Sequence, residues 1–220
     1  MRWVCFLLPV VLFFCGKLQA QGSPESGQCS LTLVNALAGP KNLYVKMGAE
    51  VIWPPGFTPG QSTGAVLFPS GKKTMELTCE GFARTQTEIL MPAGGNVAMV
   101  FYPGEEMKEG PDKGKRKIGV YCPPPILPGQ PPKGKNWQVL LVGPLAQTRL
   151  SVNSKSVDLA MGQPHTVASE AGRILVENGD KTLLTASPEG AGNYWAIIFG
   201  DGKDSLQAVY LNHVAYSVSK

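Results

Sequence analysis

Two histidines, His165 and His213, are the only imidazoles in the chain. Serine hydrolysis needs an imidazole held against a hydroxyl and oriented by a carboxylate. Two such sets can be assembled from the sequence: Ser169 or Ser187 with His165 and Asp158, and Ser205 with His213 and Asp204. Neither sits in a glycine-flanked strand-to-helix turn of the kind that exposes a nucleophile. No catalytic residue is therefore assigned, and the chain reads as non-enzymatic, with a small esterase as the enzyme alternative. Gly200-Asp201-Gly202-Lys203-Asp204 holds two carboxylates in a glycine-rich turn. A calcium site wants about six to eight oxygens, so these acids read as turn formers. No cofactor or metal site is expected, because the cysteines and histidines lack the short ligand spacing that zinc requires.

Binding chemistry is better represented. The predicted hairpin from Pro103 to Lys117 carries Lys108, Lys113, Lys115, Arg116 and Lys117. With Lys133 and Lys135 it suggests a basic rim for an anionic glycan or an acidic partner, or else a tip kept soluble by lysine. Trp53-Pro54-Pro55-Gly56-Phe57 places two aromatic rings on a stiff loop, where rigidity lowers the entropic cost of contact. Trp53 and Phe57 could hold a sugar face or a protein partner, or pack onto the core. Trp137 is expected between domains. Tyr194 and Trp195 alternate along one strand, so one should face a core and the other outward.

The elements that must position these residues come in two copies. Leu31-Thr32-Leu33-Val34 has a counterpart in Val139-Leu140-Leu141-Val142, and Leu43-Tyr44-Val45 one in Leu150-Ser151-Val152. Val66 to Thr74 resembles Ile174 to Thr182, and Ala98-Met99-Val100-Phe101 resembles Ala196-Ile197-Ile198-Phe199. The offset falls from about 108 residues to about 98 and then about 89, at Val120-Tyr121 against Val209-Tyr210. A second copy that has lost one strand-sized piece and a hairpin tip would produce that drift. Short β-branched runs separated by Gly, Pro and Asn turns predict seven strands per copy, the cadence of a sandwich. In the first copy they fall near 30–36, 42–47, 64–69, 73–79, 85–91, 95–102 and 116–122. In the second they fall near 138–143, 148–153, 156–160, 172–177, 181–186, 194–199 and 206–212. Asn178-Gly179 marks a tight hairpin, and Ser70-Gly71 is assigned the same job in the first copy.

The expected plan is all-β: two tandem immunoglobulin-like antiparallel β-sandwich domains. Residues 21–122 form the first and 137–217 the second, shorter one. Between them, 123–136 is rich in proline, which cannot donate to a sheet interior and makes a semi-rigid spacer. Residues 1–20 read as a cleaved signal peptide: Arg2, an apolar run to Cys15, and Leu18-Gln19-Ala20 before the cut. That run is too short to span a bilayer, so no stable transmembrane anchor is expected once it is removed. Cys15 opens a lipidation alternative, which Phe13-Phe14 beside it disfavours. The formal charge of +4 falls to about +2 without the leader, which argues against a nucleic-acid partner. Export to an oxidising compartment makes one disulfide among Cys29, Cys79 and Cys122 expected. Cys79 and Cys122, each closing a strand, are the favoured pair.

Each copy resembles the small bacterial β-sandwich modules of exported envelope proteins, the DUF4397-like type. Leu33-Val34-Asn35, Leu43-Tyr44-Val45, Pro69-Ser70-Gly71-Lys72 and Pro92-Ala93-Gly94 carry that cadence. The whole chain resembles the AlgF family, the periplasmic accessory proteins of alginate O-acetylation, with a leader, two sandwiches and the joint Pro131-Pro132-Lys133-Gly134-Lys135. The resemblance implies a non-catalytic adaptor in the periplasm or at the cell surface. Its partners would be an anionic polysaccharide and the envelope acetylation proteins. It supplies no catalytic residues, and Trp53-Pro54-Pro55 and an unpaired Cys29 lie outside its pattern. The alternative is a secreted or surface module that binds glycan or protein through the aromatic loop and the basic hairpin.

Overall fold

The computed structural model describes residues 27–39, 41–127, 132–168, 172–201 and 203–213. The leader, Ser169 and the last residues assigned to the second domain fall outside them. The first domain contains β1 (Gln28–Asn35), β2 (Leu43–Met47), β3 (Glu50–Val51), β4 (Ser62–Pro69), β5 (Gly71–Cys79), β6 (Thr85–Met91), β7 (Asn96–Glu106) and β8 (Arg116–Tyr121). The second contains β9 (Lys135–Leu141), β10 (Gln147–Val152), β11 (Lys155–Ala160), β12 (Pro164–Val167), β13 (Ile174–Asn178), β14 (Lys181–Ala186), β15 (Gly192–Phe199) and β16 (Gln207–His213). All fourteen expected strands are present; β3 and β12 are additional.

Four sheets of four strands result, in the orders β4-β1-β7-β8, β3-β2-β5-β6, β12-β9-β15-β16 and β11-β10-β13-β14. The two domains therefore share one topology strand for strand, and the second has lost no strand. It is shortened in its parts: β12 has four residues where β4 has eight, and the β15–β16 connection is briefer than the β7–β8 hairpin. Most pairings are antiparallel, as expected, but each domain holds one parallel pair. β1 runs alongside β7 and β9 alongside β15, because each domain's first strand inserts between two later ones.

Register corrects the sequence repeat. Leu31 pairs with Val97 and Val139 with Ala196, so Ala98 is equivalent to Ile197, not to Ala196. The visible match at this strand is out by one residue, and a slip of one turns every side chain to the opposite face. The Val66 to Thr74 match also equates unlike elements. Asn178 pairs with Lys181 in a tight hairpin whose Gly179 has φ 58°. β4 and β5, flanking Ser70, do not pair with each other: one joins β1 and the other joins β2 and β6. Ser70-Gly71 is a crossing between sheets, not a hairpin.

Alternation builds two cores. Met75, Leu77 and Cys79 of β5 face inward with Leu31, Leu33, Leu43, Val45, Met99 and Phe101. Trp137, Val139, Leu141, Leu150, Val152, Tyr194 and Ile198 do so in the second domain. A third buried cluster lies between the domains: Val34, Ala36, Ala98 and Val100 against Leu140, Val142, Trp195, Ile197, Phe199, Val209 and Leu211. The central strands β1, β7, β9 and β15 of the inner sheets are thus largely covered on both faces. The molecule is a stack of four sheets, with β16 lying against β4, β1 and β7. Burying each large apolar side chain stabilises by about 1.5–3 kcal/mol, so this layer holds the domains as firmly as a core holds a sheet.

Two tryptophan expectations reverse. Trp137 lies in the second core, where its indole N–H donates to the Gly172 carbonyl at 3.0 Å. Trp195 is the tryptophan between domains, 6.0 Å from the Tyr121 ring. Tyr194 faces the second core, as alternation requires. The outward face is buried by the neighbouring domain, so Trp195 is buried too. In the joint, Ile126 exchanges two backbone bonds with Asn96 (2.9 and 3.0 Å), which pins part of the strap to the first domain. Lys135 and Asn136, placed in the joint from sequence, open β9.

Candidate functional site

The Trp53 loop is held from three directions. Leu43 and Phe57 exchange backbone bonds at 2.9 and 2.7 Å, Asn42 Nδ2 donates to the Pro55 carbonyl at 3.0 Å, and the Gly56 N–H closes a turn onto Trp53. Gly56 has φ +77°, and a Cβ there would sit 2.9 Å from the Tyr44 ring, so only glycine fits. The two aromatic candidates part company. Phe57 is buried in the first core, so the core alternative holds for it. Trp53 is 45% exposed. Together with Ile52, Gln61, Ser62, Thr63 and Val66 they line an open cleft of about 340 Å³.

A second cleft, of about 460 Å³, forms where the domains meet. Tyr102, Glu105, Arg116 and Lys117 line it from the first domain, and Gly143, Pro144 and Met161 from the second. The β7–β8 ladder is interrupted between Pro103 and Glu106. Gly119 has no Cβ because one would lie 2.6 Å from the Tyr102 ring. Arg116 Nη1 donates to the Gly104 carbonyl at 3.3 Å, which fixes the guanidinium at the rim.

The hairpin beyond is less basic than its lysines suggest. Lys108, Lys113, Lys115, Arg116 and Lys117 are all exposed, but Glu105, Glu106, Glu109 and Asp112 share the segment. Lys115 is paired with Asp112 at 2.8 Å. Lys133 and Lys135 do not join this rim. Gly143 packs against Pro103 at the hairpin base, and Lys135 lies eight residues before it, roughly 25 Å along an extended strand. The Lys135 side chain lies across Gly172 instead.

Among the described residues, the histidine of each suggested hydrolase set lies on a different element from its carboxylate. Asp158 of β11 is held by a bidentate Arg149 pair at 2.6 and 3.0 Å, which keeps its carboxyl below the usual carboxylate range. His165 lies on β12 of another sheet, paired with Val139 and exposed. Ser205 ends the short 3-10 turn before β16 and His213 is the last residue of that strand, so roughly 20 Å of extended strand lies between them. The Ser205 hydroxyl accepts from the Asp201 N–H at 3.1 Å and closes that turn.

Cys29, Cys79 and Cys122 carry free thiols, which corrects the expected Cys79–Cys122 bridge. Phe82, three residues past Cys79, bridges Arg116 at the start of β8, and Cys122 follows its far end. The separation exceeds the roughly 7 Å between Cα atoms that a disulfide tolerates. Burial pushes the Cys29 thiol up to about 11 and raises that of Cys79, so neither is a reactive nucleophile at neutral pH.

Sequence reasoning missed Tyr102, Met161 and Gln61. Tyr102-Pro103-Gly104 is where a continuous apolar run meets its first breaker, a signal for a cleft at a strand end. Met161 became visible only once the domains were stacked. A further open cleft of about 500 Å³ lies over the Arg149–Asp158 pair, between Gln147 and Ala160. Fold and clefts together define a tandem β-sandwich protein with open surface sites in both domains. Comparison with protein-family models finds no match to the chain, and comparison with curated proteins finds none either.

Proposed function

We propose that this chain is an exported, non-enzymatic adaptor of the cell envelope that supports O-acetylation of an exported polysaccharide. One observation carries the reading: the buried layer between domains makes a single body with one open cleft at the Trp53 loop and another where the β7–β8 hairpin base meets the second domain. That is a plan for holding partners in fixed relation. The AlgF-like cadence supplies the pathway, and separation of His165 from Asp158, and of His213 from Ser205, weighs against the small esterase. The partners in this reading are an anionic polysaccharide and envelope acetylation proteins, met at the Arg116–Lys117 side of the junction cleft.

The second reading, a secreted or surface glycan-binding module, is favoured by one observation, the exposed Trp53 beside its cleft. A binding panel separates them. The protein is presented with acetylated and deacetylated acidic polysaccharides and with neutral ones, at low and high salt. Replacing Arg116 and Lys117 by Ala should weaken acidic-polysaccharide binding and flatten its salt dependence. Binding indifferent to salt and to both substitutions would remove the junction cleft from the proposal.

A further inference from the structure

Among the described residues, no ionisable side chain lines the cleft beside Trp53. Its lining is aromatic or aliphatic at Trp53, Phe57, Ile52 and Val66 and uncharged polar at Gln61, Ser62 and Thr63, whereas the junction cleft holds Glu105, Arg116 and Lys117. The Thr63 hydroxyl is already committed, accepting from the Leu33 N–H at 3.0 Å and donating to the Gly64 carbonyl at 2.6 Å. Gln61 Oε1 accepts from the Thr58 N–H at 3.0 Å and from its hydroxyl at 3.3 Å. This fixes the carboxamide and, among the described residues, leaves its NH₂ group open. The Ser62 hydroxyl is likewise available among them.

We propose that this cleft binds one uncharged pyranose ring of a glycan, stacked on Trp53 and hydrogen-bonded by the Gln61 amide and the Ser62 hydroxyl. The proposal rests on the glycan reading of the Trp53 loop and narrows its ligand to a neutral sugar. A pyranose offers an apolar C–H face and a rim of hydroxyls, which match an aromatic wall beside uncharged donors. An anionic residue would surrender hydration here with no countercharge to meet it. An extended peptide adding to the free edge of β4 needs an unbroken backbone row. The ladder to β1 is irregular between Thr32 and Val34, where the Thr63 hydroxyl takes the Leu33 N–H, and such an irregularity bends the strand and so breaks the row on its free edge. Because Trp137 and Trp195 are buried, Trp53 is the exposed indole among the described residues and reports on its own cleft.

The test is a fluorescence titration with uncharged manno- and gluco-oligosaccharides, and with an oligouronate as the anionic probe, at low and high salt. The expected result is a saturable blue shift with the neutral probes, unchanged by salt and retained when Arg116 and Lys117 are both Ala. Calorimetry should show binding lost in Trp53→Ala, partly kept in Trp53→Phe, and about tenfold weaker in Gln61→Ala. Near-UV circular dichroism confirms that each variant is folded. Neutral probes that leave the fluorescence unmoved would overturn the proposal, as would calorimetric binding that survives both Trp53→Ala and Gln61→Ala. Salt-sensitive oligouronate binding lost in the Arg116/Lys117 variant, with no neutral binding, would overturn this site while leaving the junction cleft standing. If that binding also fails, the glycan reading falls with it.

Discussion

Tyr210 packs 5.8 Å from Trp137 and 6.2 Å from Tyr194 in the second core. Burial, with Tyr194 adding to it, pushes its phenol up from 10.0 to about 12. Burial also raises Tyr194, whose hydroxyl donates to the Glu189 and Gly190 carbonyls. The folded state thus retains protons that the unfolded chain releases. The contribution is fully present below about pH 10 and is lost as the pH climbs through about 12. Urea midpoints measured across that window should fall steeply, and Tyr210→Phe should flatten the fall. An unchanged slope in that variant would place the alkaline transition elsewhere. By contrast the exposed Arg149–Asp158 and Arg84–Glu76 pairs contribute little, because solvent screens them.

At the scale of elements, strand positions were legible because turn residues punctuate them and β-branched runs fill them. Thr74 to Cys79 alternates in sequence and in burial alike. β3 and β12 were not legible: one has two residues, and the other, Pro164-His165-Thr166-Val167, opens with a residue that reads as a breaker. The Cys79–Cys122 pairing failed because a strand end says nothing about which end of the sandwich it occupies. Trp53 was legible as a loop residue; its partition from Phe57 depended on the Leu43 bridge, which is long-range. The buried layer left a trace that period-two reasoning passed over. Val97 to Phe101 and Trp195 to Phe199 are unbroken apolar runs, and such runs mark strands covered on both faces. Ile197 and Ile198 point to opposite sides of one strand. Ile197→Ala should nevertheless destabilise like Ile198→Ala, each by about 2–5 kcal/mol, as read from chemical denaturation. A change within about 0.5 kcal/mol at Ile197, the level of a surface site, would show that the domains separate in solution.

For the molecule as a whole, the layer couples the domains, so unfolding should appear as one calorimetric transition. Ala98→Glu, which places a charge in that layer, should split it into two, whereas Leu90→Glu, at a site 73% exposed, should leave it single. Two transitions in the unaltered protein would mean that the strap alone joins independent units. The layer is also lopsided. The first domain contributes Val34, Ala36, Ala98 and Val100 with the partly buried Tyr102 and Tyr121, and the second answers with Leu140, Val142, Trp195, Ile197, Phe199, Val209 and Leu211. Where the two faces meet, the first domain offers mostly small side chains between its tyrosines and the second mostly large ones, so the halves join as unlike pieces and this apolar face is already occupied within one molecule.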